Sequence, residues 1–143
     1  MGTKVGTRTR AGAQLDKEGM ERVSRFRYAL RRFLAFSADA AGGVGLTPQQ
    51  HQALLAIRAG EGRELLVGAL AERLLLRPHS ATELVDRMEK LDLVTRVMTQ
   101  ADRRQVTVRL TRKGEQLLNG LSEAHRAELR RLRPLLSELM SKL

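Results

Sequence analysis

The sequence predicts a mostly α-helical fold with one small β-hairpin, and three observations carry that prediction. From Asp16 onward, apolar residues recur at intervals of three and four through most of the chain. Leu93 to Met98 reads as extended, and beyond a polar turn the period shortens to two from Gln105 to Leu110. Glycines, prolines and capping residues fall where the helical pattern lapses. At 143 residues the chain can bury one real core but is short for two ordinary independent domains, so a single unit over 16–143 is expected.

Residues 1–15 carry Lys4, Arg8 and Arg10 with no acid and three glycines, which predicts a flexible basic arm. From Asp16, the residues Met20, Val23, Phe26, Leu30, Phe33 and Leu34 form one stripe of a first helix that ends near Asp39. Arg22, Arg25, Arg31 and Arg32 lie largely elsewhere on that cylinder. Ala40 to Leu46 holds Gly42, Gly43 and Gly45, but no Lys-Ser or Lys-Thr follows, so it reads as a connector and not a phosphate loop. Thr47-Pro48-Gln49-Gln50 is a helix start: a threonine cap, a proline where no donor is needed, and a glutamine able to bond back.

That second helix runs to about Arg58, with Leu54, Leu55 and Ile57 inward. Ala59 to Glu64 is a polar turn, and Leu65 to Val67 reads as a very short strand. A third helix carries Leu70, Ala71, Leu74 and Leu75. Arg77-Pro78-His79-Ser80 breaks it, and Ser80 is expected to cap a fourth helix with Ala81, Leu84, Val85, Met88 and Leu91 on one face. Leu93 to Met98 and Gln105 to Leu110 are the strands of the hairpin. Thr111 caps a long last helical stretch, which Pro134 is expected to break into a final short helix bearing Leu135, Leu136, Leu139 and Met140.

The formal net charge is +10, from 26 Lys plus Arg against 16 Asp plus Glu, which concentrates polyanions at the surface. Aromatic residues make up 3% of the chain and cluster at Phe26, Tyr28, Phe33 and Phe36, leaving little material for stacking single-stranded bases, so double-stranded DNA is the expected partner. No apolar run approaches the roughly 18 residues that would cross a bilayer, and the N-terminus lacks the apolar core of a signal peptide. A cytoplasmic, nucleoid-associated protein of a bacterium or archaeon with no membrane partner is expected. The absence of cysteine excludes disulfides, cysteine-ligated zinc and thiol redox sensing. Three scattered histidines and no clustered carboxylates offer no nucleophile with a base and orienter, and no metal-ligand spacing, so neither an enzyme nor a cofactor or metal site is expected.

A helix that reads the major groove must bury one face and present polar groups on the other. The fourth helix is divided in this way: His79, Thr82, Glu83, Asp86, Arg87 and Lys90 lie opposite its apolar stripe, with Arg77 and Ser80 at its N-terminal end. The hairpin tip, Gln100-Ala101-Asp102-Arg103-Arg104, sets two guanidinium groups on a thin projection suited to a minor groove, with Asp102 placed to orient one of them. Arg96, Arg109, Arg112 and Lys113 add positive charge nearby. This order of elements is a winged helix-turn-helix.

The run Asp102-Arg103-Arg104-Gln105-Val106-Thr107-Val108-Arg109-Leu110-Thr111-Arg112-Lys113-Gly114 resembles the wing signature of the MarR-type transcriptional regulators. Leu70-Ala71-Glu72-Arg73-Leu74, Ser80-Ala81-Thr82 and Val85-Asp86-Arg87-Met88-Glu89-Lys90-Leu91 extend the likeness from Asp16 to the C-terminus. The resemblance implies a homodimer whose dimerisation helices are 16–46 and 112–143, around a winged helix-turn-helix at 47–111. It further implies Arg104 in the minor groove, a pseudo-palindromic operator, and a ligand-responsive repressor with an effector crevice between the two parts. The alternative reading is a non-specific architectural or nucleoid DNA-binding protein. Phe33, Phe36, His51 and Leu54 are the candidate effector-binding residues, with packing inside the core or between subunits as the competing account of the apolar three. Asp92 stands where that family usually has glycine, so a left-handed residue is expected there.

Overall fold

The computed structural model describes residues 14–98 and 105–142. Five α-helices and three short strands follow in the order α1 (Lys17–Gly43), α2 (Pro48–Arg58), β1 (Glu64–Leu66), α3 (Val67–Arg73), α4 (Pro78–Lys90), β2 (Val94–Met98), β3 (Val106–Leu110) and α5 (Arg112–Ser141). The protein is thus mostly helical with a small antiparallel sheet, as the periodicity predicts.

Caps set most of the boundaries. Asp16 accepts from the Gly19 amide at the head of α1, and Thr47 and Gln50 form the reciprocal capping box of α2. Thr111 caps α5 by accepting from the Gly114 amide. Three helices end alike: the amides of the next residues fold back onto carbonyls of the last turn, which requires a left-handed residue just past the end. Gly45 fills that position after α1, Leu75 after α3 and Asp92 after α4, with φ of 79°, 55° and 57°. The left-handed conformation expected of Asp92 is therefore present.

Four boundaries differ from the sequence expectation. α1 continues through Ala40 to Gly43, because Ala41 is fully buried in the core and that contact outweighs the poor helix propensity of the glycines. β1 starts one residue earlier than expected and pairs with β3, making a three-stranded sheet in the order β1-β3-β2 instead of a lone hairpin. α4 begins at Pro78, which suits a first helical turn, so Arg77 and not Ser80 occupies the cap position. α5 passes through Pro134 unbroken. Leu132, Leu135, Leu136 and Leu139 are at least partly buried on both sides of the proline, and the packing of α5 on α1 offsets the single hydrogen bond it removes.

The core sits where α2, α3, α4 and the sheet meet the first half of α5. Leu54, Ile57, Leu70, Leu84, Val85, Met88, Leu93, Val94 and Val108 are its fully buried side chains, joined by Leu118 and Leu121. Gly114 marks a close approach: a Cβ there would lie 2.2 Å from the Leu93 carbonyl oxygen. The glycine after Leu-Thr thus has a physical cause, since only it lets α5 start directly beneath the end of α4.

Candidate nucleic-acid interface

α3 and α4 stand side by side as the helix pair, joined through the left-handed Leu75. On α4, Ala81, Leu84, Val85 and Met88 are buried, while His79, Thr82, Glu83, Asp86, Arg87 and Lys90 are all exposed. No side chain caps its N-terminus, so the first-turn amides beside Arg77 are open to an anion. Ser80, in that first turn, is half-buried.

The exposed groups are not equally free. His79 Nε2 lies 3.1 Å from Glu83 Oε1, and Thr82 donates to the Pro78 carbonyl oxygen at 3.1 Å. Asp86 is held by Arg96 of β2, which also reaches Glu89 Oε1 at 2.9 Å, and the Arg96 amide donates to Glu89 Oε2 at 3.3 Å. Burial works against the charge on Arg96, and the hydrogen bonds and charges of Asp86 and Glu89 outweigh it, raising its affinity for the proton.

Arg96 therefore braces the wing strand against α4 instead of standing free for phosphate. Lys113 is similarly engaged: its Nζ donates to the Leu91 carbonyl oxygen at 3.0 Å, covering an open carbonyl at the end of α4. Among the described residues, Arg77, Arg87, Lys90 and Arg112 take part in no ion pair. The hairpin-tip residues Asp102, Arg103 and Arg104 lie outside the described residues.

Of the four candidate effector residues, Phe33 and His51 line a cavity of ≈350 Å³ between α1, α2 and α5. Leu54 is a correction: it is fully buried in the core, and its neighbour Leu55 lines the cavity in its place. One helical position separates the two, and periodicity alone does not tell an inner from a flanking leucine. Phe36 meets the ring of His125 edge-on at 5.5 Å without lining the cavity. Ser37 of α1 and His125 and Arg126 of α5, which sequence reasoning left out of this site, also line it. They come from helices 88 residues apart in the chain, a pairing that no local pattern encodes.

Residues 44–105 match the model of the MarR family. The uncharacterized HTH-type transcriptional regulator YsmB of Bacillus subtilis is 38% identical over 55 residues, a match that spans 38% of this chain and 38% of that protein's length. The fold extends the likeness beyond those segments. A MarR family protein from Bacillus stearothermophilus has a TM-score of 0.70 at 26% identity, covering 89% of this chain and 99% of that one. A MarR mutant from E. coli complexed with operator DNA shares the fold, with a TM-score of 0.60 at 19% identity over 92% of this chain and 88% of that one.

Proposed function

We propose, from a winged helix-turn-helix that is of the MarR type, that this chain is a homodimeric, sequence-specific binder of double-stranded DNA that represses transcription and responds to a small-molecule effector. The observation that carries the DNA reading is the division of α4, buried along Ala81, Leu84, Val85 and Met88 and polar on the opposite side, on a chain of net charge +10. In this reading α4 enters the major groove. Arg77, His79, Ser80, Thr82, Glu83 and Arg87 face bases and phosphates, and Asp86 is held by Arg96. Arg103 and Arg104 reach the minor groove, with Asp102 orienting one of them.

The dimer reading rests on an uncovered apolar stripe. Met20, Phe26, Leu30 and Leu34 on α1 and Leu129 and Met140 on α5 are all more than a third exposed in the single chain. A second copy packed through 16–46 and 112–143 would bury them. Two α4 helices then fall on one face of a pseudo-palindromic site, about one helical turn apart. An effector that binds better to the conformation unable to span that distance lowers DNA affinity by its difference in affinity for the two states.

Selection from a random duplex library at near-physiological salt, followed by sequencing, tests this reading. Wild type is expected to enrich a palindrome, and Arg104→Ala to enrich it more weakly. Broad recovery without a motif would overturn the sequence-specific reading in favour of an architectural role.

A further inference from the structure

The turn between α3 and α4 carries a side chain that the fold does not use. Exposure alternates through Arg73-Leu74-Leu75-Leu76-Arg77. Leu74 and Leu76 pack against the core, while Arg73, Leu75 and Arg77 stand exposed. At 93%, Leu75 is the most exposed large apolar residue among those described, and it lies on neither of the helices whose stripe a second copy would cover.

Two backbone bonds close the turn: the Leu75 amide donates to the Glu72 carbonyl oxygen at 3.2 Å, and the Leu76 amide to that of Ala71 at 2.9 Å. This closure sets Leu75 at φ 55°, where glycine fits with least strain. A branched side chain there loosens the turn and gains no contact within the chain. Strained residues of this kind gather where a ligand is held.

The surroundings name the ligand. Arg73 and Arg77 flank Leu75 two residues away on either side, and neither takes part in an ion pair among the described residues. Pro78, the first residue of α4, follows three positions later, so Leu75 lies within about 11 Å of the end of that helix. An apolar tip between two free guanidinium groups fits the edge of a DNA groove. Phosphates suit the arginines. The apolar group that a base shows in the major groove is a C5 methyl, carried by thymine and by 5-methylcytosine.

We infer that Leu75 is a specificity-determining residue that packs on the C5 methyl group of one pyrimidine in each half-site, with Arg73 and Arg77 on phosphates to either side. This inference rests on the DNA reading above and names a group that it reads. Because the contact is with the methyl and not with the base edge, a cytosine at that position is bound more tightly once methylated. Loss of one methyl from the contact lowers affinity about fourfold, and loss from both half-sites on the order of tenfold.

The test starts from the duplex that wild type selects. Each thymine of its half-sites is replaced in turn, symmetrically, by deoxyuridine, which pairs alike and lacks only the methyl; each cytosine is replaced by 5-methylcytosine. Fluorescence anisotropy at one salt concentration gives the affinities of wild type, Leu75→Gly and Leu75→Ala. The expected result is one position where the methyl strengthens wild-type binding on the order of tenfold, while both variants bind the two forms of that duplex equally. A loss with deoxyuridine identifies thymine as the source of the methyl, and a gain with 5-methylcytosine identifies the modified base. Glycine suits the turn, so a thermal melt of Leu75→Gly is expected to show no loss of fold. Arg73→Gln is expected to make the slope of log K against log salt shallower by about one per subunit, with the methyl preference kept. No methyl-sensitive position, or the same methyl effect in wild type and both variants, would overturn the inference, and an unchanged salt slope would remove Arg73 from the phosphates. A motif enriched without any methyl effect sinks only this inference, whereas recovery of no motif sinks the reading beneath it.

Discussion

Leu75 holds a left-handed backbone (φ 55°) in the turn between α3 and α4, and the residue is 93% exposed. A branched side chain in that region costs about 1–2 kcal/mol, and so exposed a side chain returns almost nothing by burial. Leu75→Gly is therefore expected to raise unfolding stability by roughly 1 kcal/mol in a denaturant titration, and an unchanged midpoint would show that the turn is unstrained. At His51 the sign follows from linkage. Its folded value lies below the ordinary 6.5, so the unfolded chain binds more protons over the interval between the two. The contribution of His51 is complete above that ordinary value and is lost as pH falls toward the lowered one. Stability should drop on acidification from neutral pH by no more than about 1.4 kcal/mol per unit from this group, and His51→Gln should flatten the slope. A wild-type curve no steeper than that of the variant would contradict the assignment.

At the scale of elements, α4 does not stand alone. Arg96 ties β2 to Asp86 and Glu89, Lys113 covers the Leu91 carbonyl, and Thr111 donates to the Asp92 carbonyl oxygen, so wing, reading helix and the start of α5 form one unit. If Arg96 is a brace, Arg96→Gln should lower DNA affinity while leaving the slope of log K against log salt unchanged. A slope shallower by about one would place Arg96 on a phosphate. The sequence announces these elements well because their signals are local: the capping box at Thr47, the alternation from Val106 to Leu110 and the glycine at position 114 each act within a few residues. What it hides is tertiary. Burial of Ala41 prolongs α1 past its glycines, contact with α1 carries α5 across Pro134, and pairing with β3 turns Glu64–Leu66 into a strand. The same limit applies to the site, where the exposed face of α4 is readable but its Asp86–Arg96 tie, and the meeting of Ser37 with His51 and His125, depend on folding.

At the scale of the whole molecule, two features ask for partners. The positive field asks for a polyanion, and the apolar stripe from Met20 to Leu34 asks for a cover. The proposed dimer on duplex DNA would answer both, because it would bury the stripe and set two copies of α4 at a fixed separation. That fixed separation is the central claim, and it is open to a direct measurement: affinity for the selected palindrome compared with the same duplex carrying five extra base pairs between its half-sites. The insertion turns one half-site by about half a turn. A rigid dimer should lose affinity toward its non-specific level, on the order of 10³-fold or more, whereas equal affinity for the two duplexes would mean that no pair of α4 helices reads the site together.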